Sequence, residues 1–395
     1  MQRTLVTCAV IFGAVIVLVV AGIMIAGTYL SRPLPPIVIP PPPALPADNG
    51  FDDCVRAASL LKDTEKLDKL DASKQPRQAQ ALVKLNRPAL DLVRKALPKE
   101  YMTPQVKKWD EEFPYLKGFR SIGRLFLMEG QLKASAGDIR GAAESFLDAR
   151  RFGALIPYGG SVLHWSVGVA VSQLGYAGLE SICPRLDSSQ CEYVLKELGQ
   201  ADAREPSLAR NLEWERIMVL FLLKDLQEGK MKDSGGRAFT PLADRLMGRG
   251  RSSLEDYESS IGAIKTESAK PFYLRKPVPE PKSPISGILA PSFELLTRGS
   301  VASTREQILK LMIALRSFSL EHGAYPDSLA GLKSYGIDTI DEFSGKPLKY
   351  KRMGNGYLLY SVGSDGKDNG GAPLRIINDK SEGDIVAGKL FPPKK

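Results

Sequence analysis

The pattern of apolar and polar residues changes several times along the chain, and its first stretch is uniformly apolar. Residues 5–30 contain no charged side chain. This run exceeds the roughly 20 apolar residues that span a bilayer. It is also longer than the h-region of a cleaved signal peptide, which has about 7–15 residues. The pattern therefore predicts a single N-terminal transmembrane anchor in residues 1–32.

The next stretch, residues 33–50, is rich in proline and predicts an extended polyproline linker. We expect it to hold the body of the protein away from the membrane. From residue 51 to 229 the apolar residues recur at intervals of three and four, which is typical of amphipathic helices. These residues are predicted to form a helical domain.

The clearest helical unit is a hairpin of two helices that meet at Gly137 and Asp138. The second helix carries small and aromatic residues at close-packing intervals, among them Ala142, Phe146 and Phe152. We expect these three side chains to be buried. The turn and the small residues resemble a tetratricopeptide hairpin, but no second copy follows at a period near 34 residues. A repeat array is therefore not predicted.

The composition changes again near residue 230, where Gly, Pro and Arg become frequent. Residues 230–300 are predicted to be an irregular linker with short helices. In residues 301–395, Ser303 and Glu306 have the spacing of a capping box at the start of a helix that ends at Gly323. Two alternating runs around a Gly-Asn-Gly turn then predict a β-hairpin. The predicted fold class is mainly α, with a C-terminal α+β domain built from a helix and a small antiparallel sheet.

The formal net charge of +9 is spread along the chain and not gathered into a basic stripe. Nucleic acid is therefore not an expected partner. Cys183 and Cys191 flank a short turn, so that a disulfide and two unpaired thiols are both open. Neither His164 on an apolar helix nor His322 at a helix end forms a catalytic pattern, and the sequence lacks a Gly-x-Ser-x-Gly motif. The protein is predicted not to be an enzyme.

The most specific chemistry lies in a Gly- and Asp-rich loop after the predicted hairpin. Asp365 and Asp368 fall within four residues of each other, among glycines that allow backbone carbonyls to turn inward. Hard cations such as Ca²⁺ take six to eight oxygen ligands. Asp379 and Asp384 could fold back to complete such a site. A plain polar turn without metal is the alternative.

A longer pattern contains this loop. The segments "HGAYPDSLAGL", "DEFSGKPLKYKRMGNGYLLYSVGSDGKDNGG" and "EGDIV" together resemble the C-terminal head of the type II secretion major pseudopilin, over residues 303–386. The resemblance implies a helix with a small sheet and a Ser-x-Gly-x-Asp-Gly loop that binds calcium. It places Asp365 among the ligands, with the backbone carbonyls around Val362 and Ser364. The later ligand would be Asp379 or Asp384.

The N-terminus departs from the pseudopilin pattern, since it has neither a prepilin peptidase site nor an early Glu in the apolar run. A processed pilus subunit is therefore not expected. The sequence predicts a bacterial inner-membrane protein with one span and most of its mass outside the cytoplasm, acting as a non-enzymatic scaffold or assembly protein with protein partners. The alternatives are a cytoplasm-facing, metal-free helical binding module and a hydrolase with an unrecognised site.

Overall fold

The computed structural model describes residues 36–67, 69–228, 230, 251–278, 293–374 and 382–390. The fold is mainly helical, with a small sheet in the C-terminal region, and this confirms the coarse fold class. The helices in chain order are α1 Gly50–Ser59, α2 Thr64–Leu67, α3 Pro76–Leu85, α4 Arg87–Ala96, α5 Tyr115–Ser135, α6 Ile139–Leu155, α7 Val162–Ile182, α8 Ser188–Arg204, α9 Leu208–Gln227, α10 Arg251–Ser268 and α11 Phe293–His322.

In the described part of the chain, three short 3₁₀ helices lie between the larger elements, at Cys183–Arg185, Phe272–Leu274 and Leu329–Tyr335. The sheet has three antiparallel strands in the order β1-β2-β3, where β1 is Lys349–Met353, β2 is Gly356–Ser361 and β3 is Ile385–Val386. Lys349 pairs with Tyr360 and Met353 with Gly356, so β1 and β2 form the predicted hairpin.

The predicted membrane location needs correction. In the part of the chain that the structure describes, no helix combines the length and the apolar character needed to cross a membrane. The predicted span, residues 5–30, lies outside that part. The structure therefore does not support the predicted inner-membrane location.

The predicted helical hairpin is present as α5 and α6. Gly137 turns the chain with a φ of 87°, and the Asp138 side chain caps α6 by accepting a hydrogen bond from the Gly141 N–H. Helix α6 is enclosed by its neighbours, and Ala142, Phe146 and Phe152 are fully buried, as the sequence predicts. The hairpin is therefore a core element of the bundle.

Helices α6 and α7 approach each other closely because glycines line their crossing. A Cβ atom added at Gly153 would lie 2.7 Å from the Gly168 carbonyl oxygen, and one added at Gly175 would lie 2.5 Å from the Phe146 carbonyl oxygen. Both distances are far below an ordinary van der Waals contact. A larger residue at either glycine would push the two helices apart.

The C-terminal unit and the helical bundle share one hydrophobic core. Side chains of α6, α7 and α8 form a single cluster with those of α11 and the sheet, including Leu179, Ile308, Leu311 and Leu359. Helix α11 begins at Phe293, so that Ser303 lies ten residues inside it and does not cap it. The expected domain boundary at residues 300–301 therefore falls within a helix.

The two segments that the sequence predicts as linkers pack against the body where the structure describes them. Ile37 contacts a third hydrophobic cluster, and the Pro40 carbonyl accepts a hydrogen bond of 3.1 Å from Gln105 Nε2. In the second segment, α10 is a helix of 18 residues whose Tyr257 and Ile261 are buried against α9. The described parts of both segments are thus components of the fold.

Candidate functional site

Asp384 is the central residue of the loop that the sequence marks as a cation site. It lies next to β3 and is fully buried. Its carboxylate accepts hydrogen bonds from the Asn369 N–H at 3.2 Å and from the Gly371 N–H at 2.6 Å. Burial raises the pKa of Asp384, while these two N–H donors oppose the rise. Asp384 thus ties the far end of the loop to the sheet.

The other two described carboxylates of the loop also have protein partners. Asp365 accepts from the Lys367 N–H at 3.0 Å and from the Gly383 N–H at 3.4 Å. Asp368 pairs with Lys349 Nζ at 2.9 Å and accepts from the Tyr360 hydroxyl at 2.8 Å. The Lys349 ammonium is the main reason why the pKa of Asp368 falls to about 2.

The start of the loop is organised by a residue that the sequence analysis does not single out. Asp341 is buried and accepts hydrogen bonds from the Val362 N–H at 3.1 Å and from the Ser361 hydroxyl at 2.7 Å. Ser364 lies half-buried in the following turn, and Asp379 lies outside the described residues. Only the position of Asp341 in "DEFSG", just before β1, could have drawn attention to it.

The carboxylates of the described loop are held by donors of the protein. Each of them accepts hydrogen bonds from N–H or O–H groups. Among the described residues, no group of three or more His, Cys, Asp or Glu side chains is gathered closely enough to hold a metal ion. Calcium binding stays a prediction of the sequence, and the proposed function does not depend on it.

A cleft between the bundle and the C-terminal unit offers a different kind of site. It has a volume of about 1070 Å³. Its walls come from α7, α8 and α11, from residues 268–275, which begin at the last residue of α10, and from residues 335–342 before the sheet. Because the shared core fixes these elements against one another, the cleft belongs to the folded body.

Charged side chains from three helices meet on the floor of this cleft. Arg150 of α6 is only 1% exposed, and its Nη2 atom lies 2.9 Å from Asp202 and 2.7 Å from Glu205, at the end of α8. Lys310 of α11 forms ion pairs with Asp202 and, at 2.9 Å, with Glu306 one turn earlier on the same helix. We call these five residues the floor cluster.

The floor cluster contains two carboxyl groups whose pKa values are shifted in opposite directions. Burial and a hydrogen bond with Asp202 raise the pKa of Glu306 to about 7. Burial also acts on Asp202, but the hydrogen bond from Glu306 and the charges of Lys310 and Arg150 lower its pKa on balance. Tyr176, under the Arg150 guanidinium, donates its hydroxyl to Glu306 at 2.5 Å. Below about pH 7 the two acids therefore share one proton, which they lose as the pH rises above 7.

A second polar group fixes the rim of the cleft. Arg275 donates to the Ser300 hydroxyl at 2.8 Å and to the Leu296 carbonyl at 3.1 Å. The Ser300 hydroxyl in turn donates to Glu342 at 2.5 Å. These bonds join the segment after α10, the first turns of α11 and the chain before β1, so that the rim has a defined shape.

The histidines and cysteines considered in the sequence analysis are packed against other parts of the fold. His164 is buried beside Tyr115, whose hydroxyl lies 2.8 Å from Nε2, and burial lowers the pKa of His164 to about 4. His322 stacks on Phe318 at the end of α11. Cys183 and Cys191 are free thiols in the core. The structure therefore has two unpaired thiols here and not a disulfide.

In comparisons with protein families, with curated proteins and with solved structures, nothing matches the chain. The resemblances to the pseudopilin head and to a tetratricopeptide hairpin therefore stay predictions. The floor cluster and its cleft are identified as a candidate site from the structure alone.

Proposed function

We propose that this protein is a non-enzymatic binding scaffold, and that its ligand or partner segment enters the cleft between the helical bundle and the C-terminal unit. The observation that carries the proposal is the floor cluster, in which buried and half-buried charges converge at the bottom of a cavity of about 1070 Å³. Ligand sites are typically concave and contain a few convergent polar groups with perturbed pKa values.

The rigidity of the walls supports this proposal. Helices α7, α8 and α11 belong to one hydrophobic cluster, and the rim is held by the bonds of Arg275 and Ser300. A binding site whose walls are already in place loses less conformational entropy when a ligand enters. The volume, about 1070 Å³, is slightly above the roughly 300–1,000 Å³ that is common for small-molecule sites. A short peptide segment would also fit this size.

The pseudopilin resemblance adds an assembly role to the proposed scaffold. In this proposal the helix α11 and the small sheet act as a structural head that is presented by the bundle. The hydrogen bonds that hold the loop around Asp384 are compatible with such a passive role.

A hydrolase is a second candidate, because Glu306 and Asp202 have pKa values that are moved in opposite directions. Such a pair can supply a general acid and a general base. The binding role is favoured, since Lys310 and Arg150 already engage these carboxylates and compete with a reacting group for their oxygens.

Blocking the cleft tests the proposal. Gly199 of α8 lines the cleft, and a Cβ atom there would have nothing within 4 Å. Gly199→Trp should therefore obstruct the cleft at its α8 wall and leave the fold intact. Gly262→Trp is the matched control, because Gly262 lies on α10, outside the lining of the cleft, and is equally open.

Thermal shift of the full chain with sets of polar small molecules and short peptides is the readout. Compounds that stabilise the wild type and the Gly262→Trp variant should have no effect on the Gly199→Trp variant. If no compound stabilises the wild type, or if every stabilising compound still acts on the Gly199→Trp variant, the cleft is not the binding site.

A further inference from the structure

We infer that the outer edge of strand β1 binds an acidic, extended segment of a partner protein, which adds a strand to the sheet. This edge is the backbone of Lys349–Met353, and it lies outside the lining of the cleft. The inference therefore concerns a second interaction surface and does not depend on the function proposed for the cleft.

The first observation is that β1 has a partner on one side only. It stands at the end of the strand order β1-β2-β3 and pairs with β2 along its whole length. Among the described residues, no backbone hydrogen bond joins β1 to any element other than β2. Four of its five residues are exposed and the fifth, Tyr350, is half-buried. The unpaired side of β1 is thus open to solvent.

The register of the hairpin shows which backbone groups of β1 face outward. The last residue of β1 flanks a two-residue turn, and such a residue is hydrogen-bonded across the turn. Every second residue of β1 therefore bonds to β2, and the N–H and C=O groups of Tyr350 and Arg352 face away from it. Leu348 follows the same alternation, and its N–H donates outward, to the Thr339 carbonyl at 2.8 Å. The open edge thus presents two donors and two acceptors.

The short segment that covers the first part of this edge ends before it reaches Tyr350. Residues 339–341 run antiparallel to residues 346–348. The chain that precedes this segment leaves the edge, and Gln307 of α11 holds the Asp338 carbonyl there at 2.9 Å. An added strand can therefore continue the ladder from the point where this segment ends.

The side chains of β1 favour an acidic partner. Lys349, Lys351 and Arg352 are exposed cations on this strand. Lys349 pairs with Asp368 and Arg352 with Asp327, whereas Lys351 has no ion pair among the described residues. Opposite charges that face each other across two strands stabilise the pairing. An acidic side chain opposite Lys351 would therefore find a cation that is not yet engaged.

The same charges disfavour a second copy of this edge as the occupant. In a symmetric pair of β1 edges, lysine and arginine side chains of one copy would face those of the other. Such like-charged pairs are destabilising, and lysines on edge strands prevent self-association in this way. The edge therefore selects a strand of opposite charge.

An exposed apolar side chain specifies the partner further. Met353 is 56% exposed and lies on the same face of β1 as Lys351, because side chains two residues apart in a strand share a face. An apolar residue of the partner, placed two positions from the acid that faces Lys351, would cover it. The partner segment is therefore expected to combine acidic and apolar residues.

Peptide binding to the full chain tests the inference. The probe is the fluorescein-labelled peptide Gly-Val-Glu-Glu-Val-Gly-NH₂, and fluorescence anisotropy is the readout. One N-methylated form carries methyl groups on the first valine and the second glutamate, and the other carries them on the first glutamate and the second valine. Only one of these alternate sets blocks the N–H groups that face β1. The unmethylated peptide should bind, and the two methylated forms should differ about tenfold or more in affinity.

Charge reversal tests the choice of partner. Lys351→Glu should weaken binding of the acidic peptide about tenfold at low salt and strengthen binding of the peptide with lysines in place of glutamates. Lys84→Glu is the matched control, since Lys84 is an exposed lysine on α3 of the helical bundle. It should leave both affinities unchanged.

A proline in β1 tests the backbone contact. Arg352→Pro removes one outward N–H, and proline is tolerated at an edge position whose N–H faces solvent. Arg352→Ala controls for the lost charge. The proline variant should bind the acidic peptide about fivefold or more weakly than the alanine variant. Thermal melts confirm that each variant is folded, and the methylated peptides test the same contact without any change in the protein.

Several results would overturn the inference. These are no binding of the acidic peptide, equal affinity of the two methylated forms, or equal binding of the acidic and basic peptides by the wild type. Self-association of the full chain that Arg352→Pro abolishes would assign the edge to a second copy and would also overturn it. Gly199→Trp should bind the peptide as the wild type does. Loss of binding in that variant would place the peptide in the cleft and not on the edge.

Discussion

The ring of Phe146 fills the space that Gly178 leaves free: a Cβ atom at Gly178 would lie 2.2 Å from ring carbon Cδ1. On its other side the same ring lies against Gly130, where a Cβ atom would be 2.2 Å from Cε1. Helices α5, α6 and α7 therefore meet around one aromatic side chain, and two glycines determine how closely they pack.

We expect Gly178→Ala to lower the free energy of unfolding by about 1–3 kcal/mol, because the added methyl group overpacks this contact. Gly199→Ala is the control, since it adds the same methyl group to a helix with nothing within 4 Å. It should be neutral or stabilising by about 0.5–1 kcal/mol. Urea unfolding of both variants gives the comparison. Equal stabilities would mean that the bundle adjusts easily around Phe146.

A second prediction concerns the pH dependence of stability. The ordinary pKa of a glutamate such as Glu306 is 4.5, and in the fold it is about 7, mainly through burial. The folded protein thus holds this proton more tightly than the unfolded chain. The resulting stabilisation is complete below about pH 4.5 and is lost as the pH rises to about 7. Asp202 has a lowered pKa, so its own contribution is lost only at more acidic pH, outside this window.

Glu306→Gln imitates the protonated acid at every pH and isolates this effect. At pH 5 its free energy of unfolding should be close to that of the wild type. At pH 8 the variant should be more stable than the wild type by up to about 3 kcal/mol. Denaturant titrations at the two pH values check this, with Glu258→Gln as the control, since Glu258 pairs with Arg216 away from the cleft. A constant difference between variant and wild type across the range would contradict it.

A third prediction concerns the loop around Asp384. Asp384→Ala should leave the N–H groups of Asn369 and Gly371 without acceptors and lower the free energy of unfolding by about 2–4 kcal/mol. The loss should be the same in chelator and in millimolar calcium, because the partners are backbone N–H groups. Asp365→Ala should cost less, since Asp365 is more exposed. A loss that is seen only with calcium would show that the carboxylate acts through a cation.

A fourth prediction concerns the two core thiols. Burial raises the pKa of Cys183 to about 12 and that of Cys191 to about 11, so that little thiolate forms at neutral pH. In a background in which Cys8 and the third buried thiol, Cys54, are replaced by serine, neither thiol should react with an aromatic disulfide reagent until the protein unfolds. The labelling rate should follow the denaturant dependence of global unfolding. Fast labelling of either residue in native buffer would indicate that the start of α8 opens locally.

The elements that depend on local pattern could be predicted from the sequence. The hairpin of α5 and α6 has regular apolar spacing and a Gly-Asp turn, and the β1–β2 hairpin has alternating residues around a Gly-Asn-Gly turn. Both patterns are local, since each lies within one element or its turn. The predicted elements are present in the fold because tertiary packing uses the apolar faces that the patterns mark.

The predicted start of α11 is wrong because the sequence shows a local capping pattern, whereas the true start depends on tertiary contacts. Ser303 and Glu306 have the spacing of a capping box, but Ser303 lies inside the helix and Glu306 turns its carboxylate into the floor cluster. The helix starts ten residues earlier, and Leu295 and Leu296 in this first part are buried against α9 and α10. These are tertiary contacts, which a local pattern does not show. A capping pattern alone does not show whether a helix has already begun.

The floor cluster could not be predicted because its members are far apart in the sequence. Arg150, Asp202 and Glu306 come from three helices, and each has an ordinary charged neighbourhood along the chain. Only the Glu306–Lys310 pair has a local spacing of four residues, and such pairs are common on exposed helix faces. The convergence of these charges follows from how α6, α8 and α11 pack.

Helix α11 also determines how this protein can be divided. Its 30 residues extend about 45 Å, with Leu295 and Leu296 in the cluster of α9 and α10 and Ile308 and Leu311 in the cluster of the sheet. A fragment cut at residue 301, where the C-terminal domain is predicted to start, would carry a shortened helix whose apolar side has lost its neighbours in the bundle. The shortest autonomous piece that contains the sheet must include α6, α7 and α8 as well, so that the two compositionally distinct regions are expected to melt in a single cooperative transition.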